Sequence, residues 1–484
     1  MAEHIEPSGP TNDPLREFLE SLLGPEAAEE ASRAMQAQGF DLSALPGMGS
    51  PQAMAQALGQ MRFLMNASND PVNWRMVEEM TRQQAYQSGD PTLSAAQAQE
   101  VSQALSVADL WLDPVTELSA QGVRRDAWTR VGWIDHTLPA WKEICDPIAA
   151  NASRAMSEAM RAQFGPDDFG IPDEMAAMAQ SLSTMLPKMA AMAFASQIGS
   201  ALAAMAQETL GSTDSGLPLT DQPITALLPT NIADFADGLD IPYQEVAQFL
   251  AARECAHARL FADVPWLRHD LHLAIVRYAQ EITLDEEAIT EAARSIDPGN
   301  PQSLQEAMGG GIFAAEPTDS QRRAQARLEA LLALIEGWVE VVVSHAVAPY
   351  LPHSSQLREM MRRRRITGSN ADRLLQQLVG LEFRPRQARS AAKIFQMIQE
   401  KEGAEARDAV WSHPDRIPTV EQLAHPDLYF EEQAEDPELK NLEAQLSALL
   451  EGTLGFDDNV PSDLRGDANP DTPPADTLPS DTDR

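Results

Sequence analysis

Apolar residues recur at every third or fourth position through most of the chain, and strict apolar–polar alternation is scarce, so the pattern predicts a mainly α fold. The stretch 240–268, DIPYQEVAQFLAARECAHARLFADVPWLR, places Val246, Phe249, Leu250, Leu260 and Phe261 on one buried helix face. Asp240 is positioned to cap its first free N–H groups, Pro242 falls where a first turn tolerates a missing N–H, and Pro265 ends it. A second apolar helix is written in RLEALLALIEGWVEVVVSHAV, with Leu328, Leu331, Leu332 and Ile335 buried. Its last residues could pass for a strand but continue the helical pattern. In SVADLWLDPVTEL, Trp111 and Leu112 are expected inside, and Asp113-Pro114 breaks the helix. Trp128, Trp133 and Trp141 follow near helical spacing, interrupted by Gly132 and Pro139; this predicts short helices packing their indoles into a common core.

Residues 173–210 are the most apolar part, and Met189 to Ala206 carries no formal charge. Small residues dominate it, which favours a buried helix or hairpin over a membrane span. The expected organisation has four parts. Residues 1–60 form a flexible lead-in, 61–210 a Trp- and Met-rich helical domain packing on the core, 211–440 the domain carrying the two apolar helices, and 441–484 an acidic, Pro-rich disordered tail. GSTDSGLPLTDQP reads as a connector toward the central helix. Gly309, Gly310 and Gly311 lack a preceding strand and a following Gly-Lys-Ser/Thr, so they predict a flexible connection near the site rather than a phosphate loop.

Charge narrows the partners. The 36 basic and 73 acidic residues give a net charge of −37, which repels phosphates over most of the surface. Nucleic acid and anionic membrane are therefore not expected as partners, and the run Arg362 to Arg365 is expected to pair with the chain's own carboxylates. Cys145 and Cys255 cannot make a disulfide framework, and Cys255 reads as a packing residue. The first residues have neither a basic start nor an apolar core, so a cytoplasmic location is expected.

Chemistry concentrates in Arg253-Glu254-Cys255-Ala256-His257, which has the form of H-E-x-x-H with arginine in the first place. In the intact pattern two histidines one turn apart hold zinc, and the glutamate acts as general base on the metal-bound water. Glu254 and His257 keep the base and the second ligand, whereas Arg253 cannot ligate because its guanidinium stays protonated. Glu336 and Glu340 sit four apart amid apolar neighbours. Buried carboxylates there need a cation or donors; the alternative is a helix face that reaches solvent. His345 falls about 140° off that face. His269 and His272 read as solvated surface residues, and His413 closes a helix.

Several stretches together resemble a bacterial family of zincin-like, zinc-dependent metalloproteases: NDPVNWRMVEEMTRQ, ADLWLDPVTEL, LLPTNIADFADGLDIP, the RECAHARLFADVPWLR helix, EGWVEVV and VGLEFRPR. The resemblance covers about residues 60 to 425. It implies a zincin-like helical domain and a peptidase-type metallohydrolase using zinc. On this resemblance Glu254 is the general base, His257 a ligand, Glu336 the third ligand and Glu340 the second choice. Arg253 departs from the pattern, and two readings follow. In one, another group (His269 or water) replaces the missing ligand and hydrolysis persists. In the other, Arg253 substitutes for the metal's charge, making a bidentate pair with Glu336 or Glu340, and the chain is an inactive scaffold that binds a peptide or protein partner.

Overall fold

The computed structural model describes residues 70–164, 173–280, 318–367 and 387–430. The fold is mainly α: among the described residues, two short strands accompany the helices. In chain order these are α1 (Trp74–Gln87), α2 (Ala95–Leu112), β1 (Arg124–Ala127), α3 (Arg130–Phe164), α4 (Asp173–Glu208), β2 (Ile224–Leu227), α5 (Pro229–Ala236), α6 (Tyr243–Asp263), α7 (Pro265–Gln280), α8 (Asp319–Val347), α9 (Ser354–Thr367), α10 (Ala388–Glu402), α11 (Ala404–Ala409) and α12 (Val420–Ala424). By their contacts, the described residues as far as Pro426 form one compact unit. The expected lead-in, the Gly309–Gly311 connection, the VGLEFRPR stretch and the acidic tail lie outside the described residues.

Two helices form the centre. Every residue of α6 from Phe249 to Leu260 is buried, as is α8 from Ala330 to Val339, so both are enclosed on all sides. They pack against each other, α2 covers α6, and α7 and α10 pack on α8. α8 is also long and apolar enough to cross a membrane by composition, but 83% of its most apolar window is buried inside the protein. The strand-like VEVVVSHAV is helical, as periodicity predicts.

Glycine at 337 allows the closest helix approach. A Cβ there would lie 2.5 Å from the Ala392 backbone nitrogen and 2.6 Å from the Ala391 Cβ, so α8 and α10 meet backbone to backbone. A buried node fixes the same region: Trp338 Nε1 donates to Asp408 Oδ1 at 2.8 Å, and Thr116 Oγ1 donates to Asp408 Oδ2 at 2.7 Å. The loop after α2 is thereby tied to the centre. β1 and β2 pair in parallel from Arg124↔Ile224 to Ala127↔Leu227, and Leu227 also bridges Gly211 in antiparallel sense. That bridge lays residues 210–213 alongside β2, next to α6.

Local details correct the sequence expectation. α6 begins at Tyr243 with Pro242 as its N-cap and no side-chain cap, so Asp240 does not cap it. α3 runs unbroken through Pro139 and Pro147, where short helices were expected. An interior proline costs a helix about 3 kcal/mol, but burial of Trp133, Ile134, Trp141, Ile144 and Ile148 along α3 outweighs it. Trp128, Trp133 and Trp141 are buried as predicted, whereas Trp111 is half-buried and stacks on Tyr350 at 4.4 Å.

Gly337→Ala should lower stability by about 2 kcal/mol, the range of core overpacking, because the backbone of α10 cannot yield. A urea midpoint equal to that of the wild type would show that the α8–α10 crossing is looser than described.

Candidate functional site

The motif helix α6 and the later helix α8 cross so that Arg253, His257 and Glu336 meet in the interior. Arg253 and His257 lie one turn apart and project toward the same helix. Arg253 Nη2 donates to Glu336 Oε2 at 2.8 Å, and His257 Nε2 lies 3.1 Å from Glu336 Oε1. A second guanidinium, that of Arg365 from α9, also pairs with Glu336 Oε2. The expected bidentate Arg253 pair is therefore replaced by two arginines sharing one carboxylate. The Glu336 side chain is 5% exposed, so the alternative of a solvent-facing carboxylate is excluded. Gly216, in the positive-φ region at 76°, brings the 213–216 turn against Glu336 Oε1, where a side chain would have to fit at 3.5 Å.

Glu340 does not join this cluster. It pairs with Arg362 of α9, whose Nε donates at 2.9 Å. The whole arginine run is used in this way: Arg363 pairs with Glu359, and Arg364 with Asp214 at 2.9 Å. Burial alone would raise the Asp214 pKa, but Arg364 and Arg365 outweigh it and hold the carboxylate below its usual range.

Glu254 lines the same small cavity as Arg253 and His257, but its carboxyl is taken up by the covering 212–213 segment. Its Oε2 accepts from Ser212 Oγ at 2.9 Å, the Thr213 backbone N–H at 2.9 Å and Thr213 Oγ1 at 2.8 Å. Gly211 lies against the same carboxyl, since a Cβ there would run into the Glu254 side chain. The stretch that reads as a connector in sequence is thus the cover of Glu254. Small and hydroxyl residues in Gly-Ser-Thr-Asp are the signal that could have revealed it. Burial raises the Glu254 pKa, partly opposed by His257 and by the Thr213 donors.

At His257 the influences conflict. Burial, followed by the nearby Arg253 guanidinium, lowers its pKa from 6.5 to about 3, while Glu254 pulls upward. Glu336 at 3.1 Å also favours the imidazolium, but its charge is already shared by two guanidiniums, and we hold burial to dominate. A neutral ring has one N–H, whereas both its nitrogens have acceptor neighbours: Nδ1 is 2.9 Å from the Arg253 carbonyl. The carboxylate contact is the charge-assisted one, which would occupy Nε2.

This donor set does not fit a zinc ion. Zinc sites need three protein ligands with lone pairs directed at one point. Here Glu336 is held by two cations and Glu340 faces Arg362, while His269 and His272 are exposed on α7. Among the described residues no group of three or more His, Cys, Asp or Glu side chains gathers around a common point, so His257, Glu336 and Glu340 do not form the expected ligand set. The cavity between Asp214, Arg253, Glu254, His257 and Arg365 measures about 10 Å³, room for about one water and no substrate. Cys145 and Cys255 are separate buried thiols, and burial raises the pKa of each.

Comparison with known proteins adds three findings. A family model described as zincin-like metallopeptidase matches residues 72–430. A crystal structure from Chloroflexus aurantiacus, described as "a putative hydrolase with a novel fold", is similar with a TM-score of 0.52 at 16% identity, covering 75% of this chain and 99% of that one. Its likeness concerns the fold. No curated protein matches the chain.

A pH dependence follows from His257. Its folded pKa lies below 6.5, so the unfolded chain binds the proton first; stability is fully present above pH 6.5 and is lost as pH falls toward 3. The stability advantage of wild type over His257→Asn should shrink between pH 7 and pH 4 in denaturant titrations. An advantage that grows on acidification would mean that the imidazolium is the native form.

Proposed function

Because the chain belongs to the zincin-like metallopeptidase family, we propose that it keeps that scaffold without its metal chemistry and serves to bind a peptide or protein partner. The observation that carries this reading is the Arg253–Glu336 contact at 2.8 Å, joined by Arg365. Two guanidiniums supply the charge of a divalent cation at the carboxylate best placed to ligate one. The Glu254 carboxyl is engaged by Ser212 and Thr213, and the adjoining space holds about one water. A general base must reach a reacting proton, and Glu254 has no space in which to meet a substrate.

The second reading, an active metallohydrolase, draws on the family itself, in which zinc is the general expectation. Glu254 and His257 also stand at the motif positions of base and ligand. Zinc, when bound in that family, supplies an activated water; this chain offers His257 and Glu336 toward it and sets Arg253 in the remaining place.

Metal analysis of chain purified without chelator or added zinc separates the two. The scaffold reading expects substoichiometric zinc and no hydrolysis of casein. Stoichiometric zinc that is lost in His257→Ala or Glu336→Ala, together with casein cleavage, would establish the enzyme instead. Arg253→His should raise zinc affinity by more than about 100-fold in calorimetry, since it restores a ligand rather than an outer contact. Unchanged affinity would argue against the assignment of His257 and Glu336 to one site.

A further inference from the structure

The motif helix has a second arginine on its opposite side, and it builds a different feature. Arg259 donates to Asp109 Oδ1 at 3.1 Å, to Asp113 Oδ1 at 2.6 Å and to the Leu118 carbonyl at 3.2 Å. Arg125 from β1 grips the other oxygen of Asp109 through Nε at 2.9 Å and Nη2 at 2.6 Å. These bonds make a fixed floor joining α6, α2, β1 and the loop that follows α2. Above it lies a groove of about 730 Å³, within the range of ligand-binding clefts.

Three features of its walls define an occupant. Leu110 is 67% exposed, one of few large apolar side chains in water among the described residues. Asp113 keeps 61% of its side chain exposed, and Glu117 is exposed while its backbone N–H is anchored on Asp408. β1, which contributes Arg125 to the groove, pairs among the described residues with β2 alone. An extended segment can add to a strand edge through its main chain. The acids of the groove (Asp109, Asp113 and Glu117) outnumber its arginines (Arg125 and Arg259), and with the exposed Leu110 and a chain net charge of −37 they call for a cationic, partly aliphatic ligand.

We propose that this groove is the docking site for a short extended peptide segment of a partner protein, carrying Lys or Arg beside an aliphatic residue. The proposal rests on the scaffold reading for its class of partner. It moves the binding surface away from the closed motif site to the other face of α6.

Fluorescence anisotropy of the full chain tests it, using a labelled peptide of alternating Leu and Lys and a Leu–Glu peptide as counter-probe. The Leu–Lys peptide should bind and the Leu–Glu peptide should not. Affinity should fall about tenfold or more in Leu110→Ser and in the pair Asp113→Asn with Glu117→Lys. It should persist in the pair Glu79→Lys with Asp415→Lys, two exposed acids outside the groove. Thermal melts monitored by circular dichroism confirm that each variant is folded. Absent binding, or equal weakening by the outside pair, would overturn the proposal as general charge attraction. Self-association abolished by Leu110→Ser would assign the groove to a second copy and overturn it likewise. Groove-dependent binding by a chain carrying stoichiometric zinc would refute the scaffold reading and leave the groove standing.

Discussion

The carboxylate of Glu336 lies in the interior where α6 crosses α8, and the surrounding segments are arranged to balance its charge. An uncompensated carboxylate there would cost several kcal/mol. Arg253 supplies one guanidinium from α6 and Arg365 another from α9, while His257 closes the remaining side. Three helices are thereby held to one point. The covering loop is drawn in by the same logic, because Arg364 adjoining Arg365 pairs with Asp214, while Ser212 and Thr213 donate to Glu254. Breaking the central contact would leave charge stranded in several places at once.

This geometry gives a physical account of arginine in a metal-ligand position. A zinc site joins distant helices by donating positive charge to fixed lone pairs, and an ion pair can join the same helices without a metal. On the scaffold reading proposed above, such an exchange has a chemical consequence. A guanidinium offers only donors, so it can fix a carboxylate but cannot activate water. The surroundings agree: the cavity holds about one water, the Glu254 carboxyl is held by hydroxyls, and a larger groove lies on the far side of the helix, where Arg259 forms its floor.

Much of this was legible from the residues. Periodicity near 3.6 identified α6 and α8 because both carry long apolar repeats, and even the strand-like end of α8 obeyed it. Burial of Trp128, Trp133 and Trp141 followed from their size and spacing. The pairing of Arg362 to Arg365 with internal carboxylates followed from the acidic composition, although nothing local told Arg365 to choose Glu336. What escaped were long-range decisions. Pro139 signalled a helix break, yet packing along α3 overrode a local preference. The Gly-Ser-Thr-Asp segment looked like a linker because its use depends on Glu254, some forty residues later, as a partner. Glu340 matched Glu336 in spacing and surroundings, and only the position of Arg362 separates their fates.

The central claim is that Arg253 and Glu336 stabilise one another in the folded chain, and a double-mutant cycle measures that coupling directly. Unfolding free energies of wild type, Arg253→Met, Glu336→Gln and the double variant would be obtained by urea denaturation. The account predicts an interaction energy of about 2 kcal/mol, with the double variant less destabilised than the sum of the single ones. Additive effects would mean that the two side chains meet without depending on each other, and would contradict it.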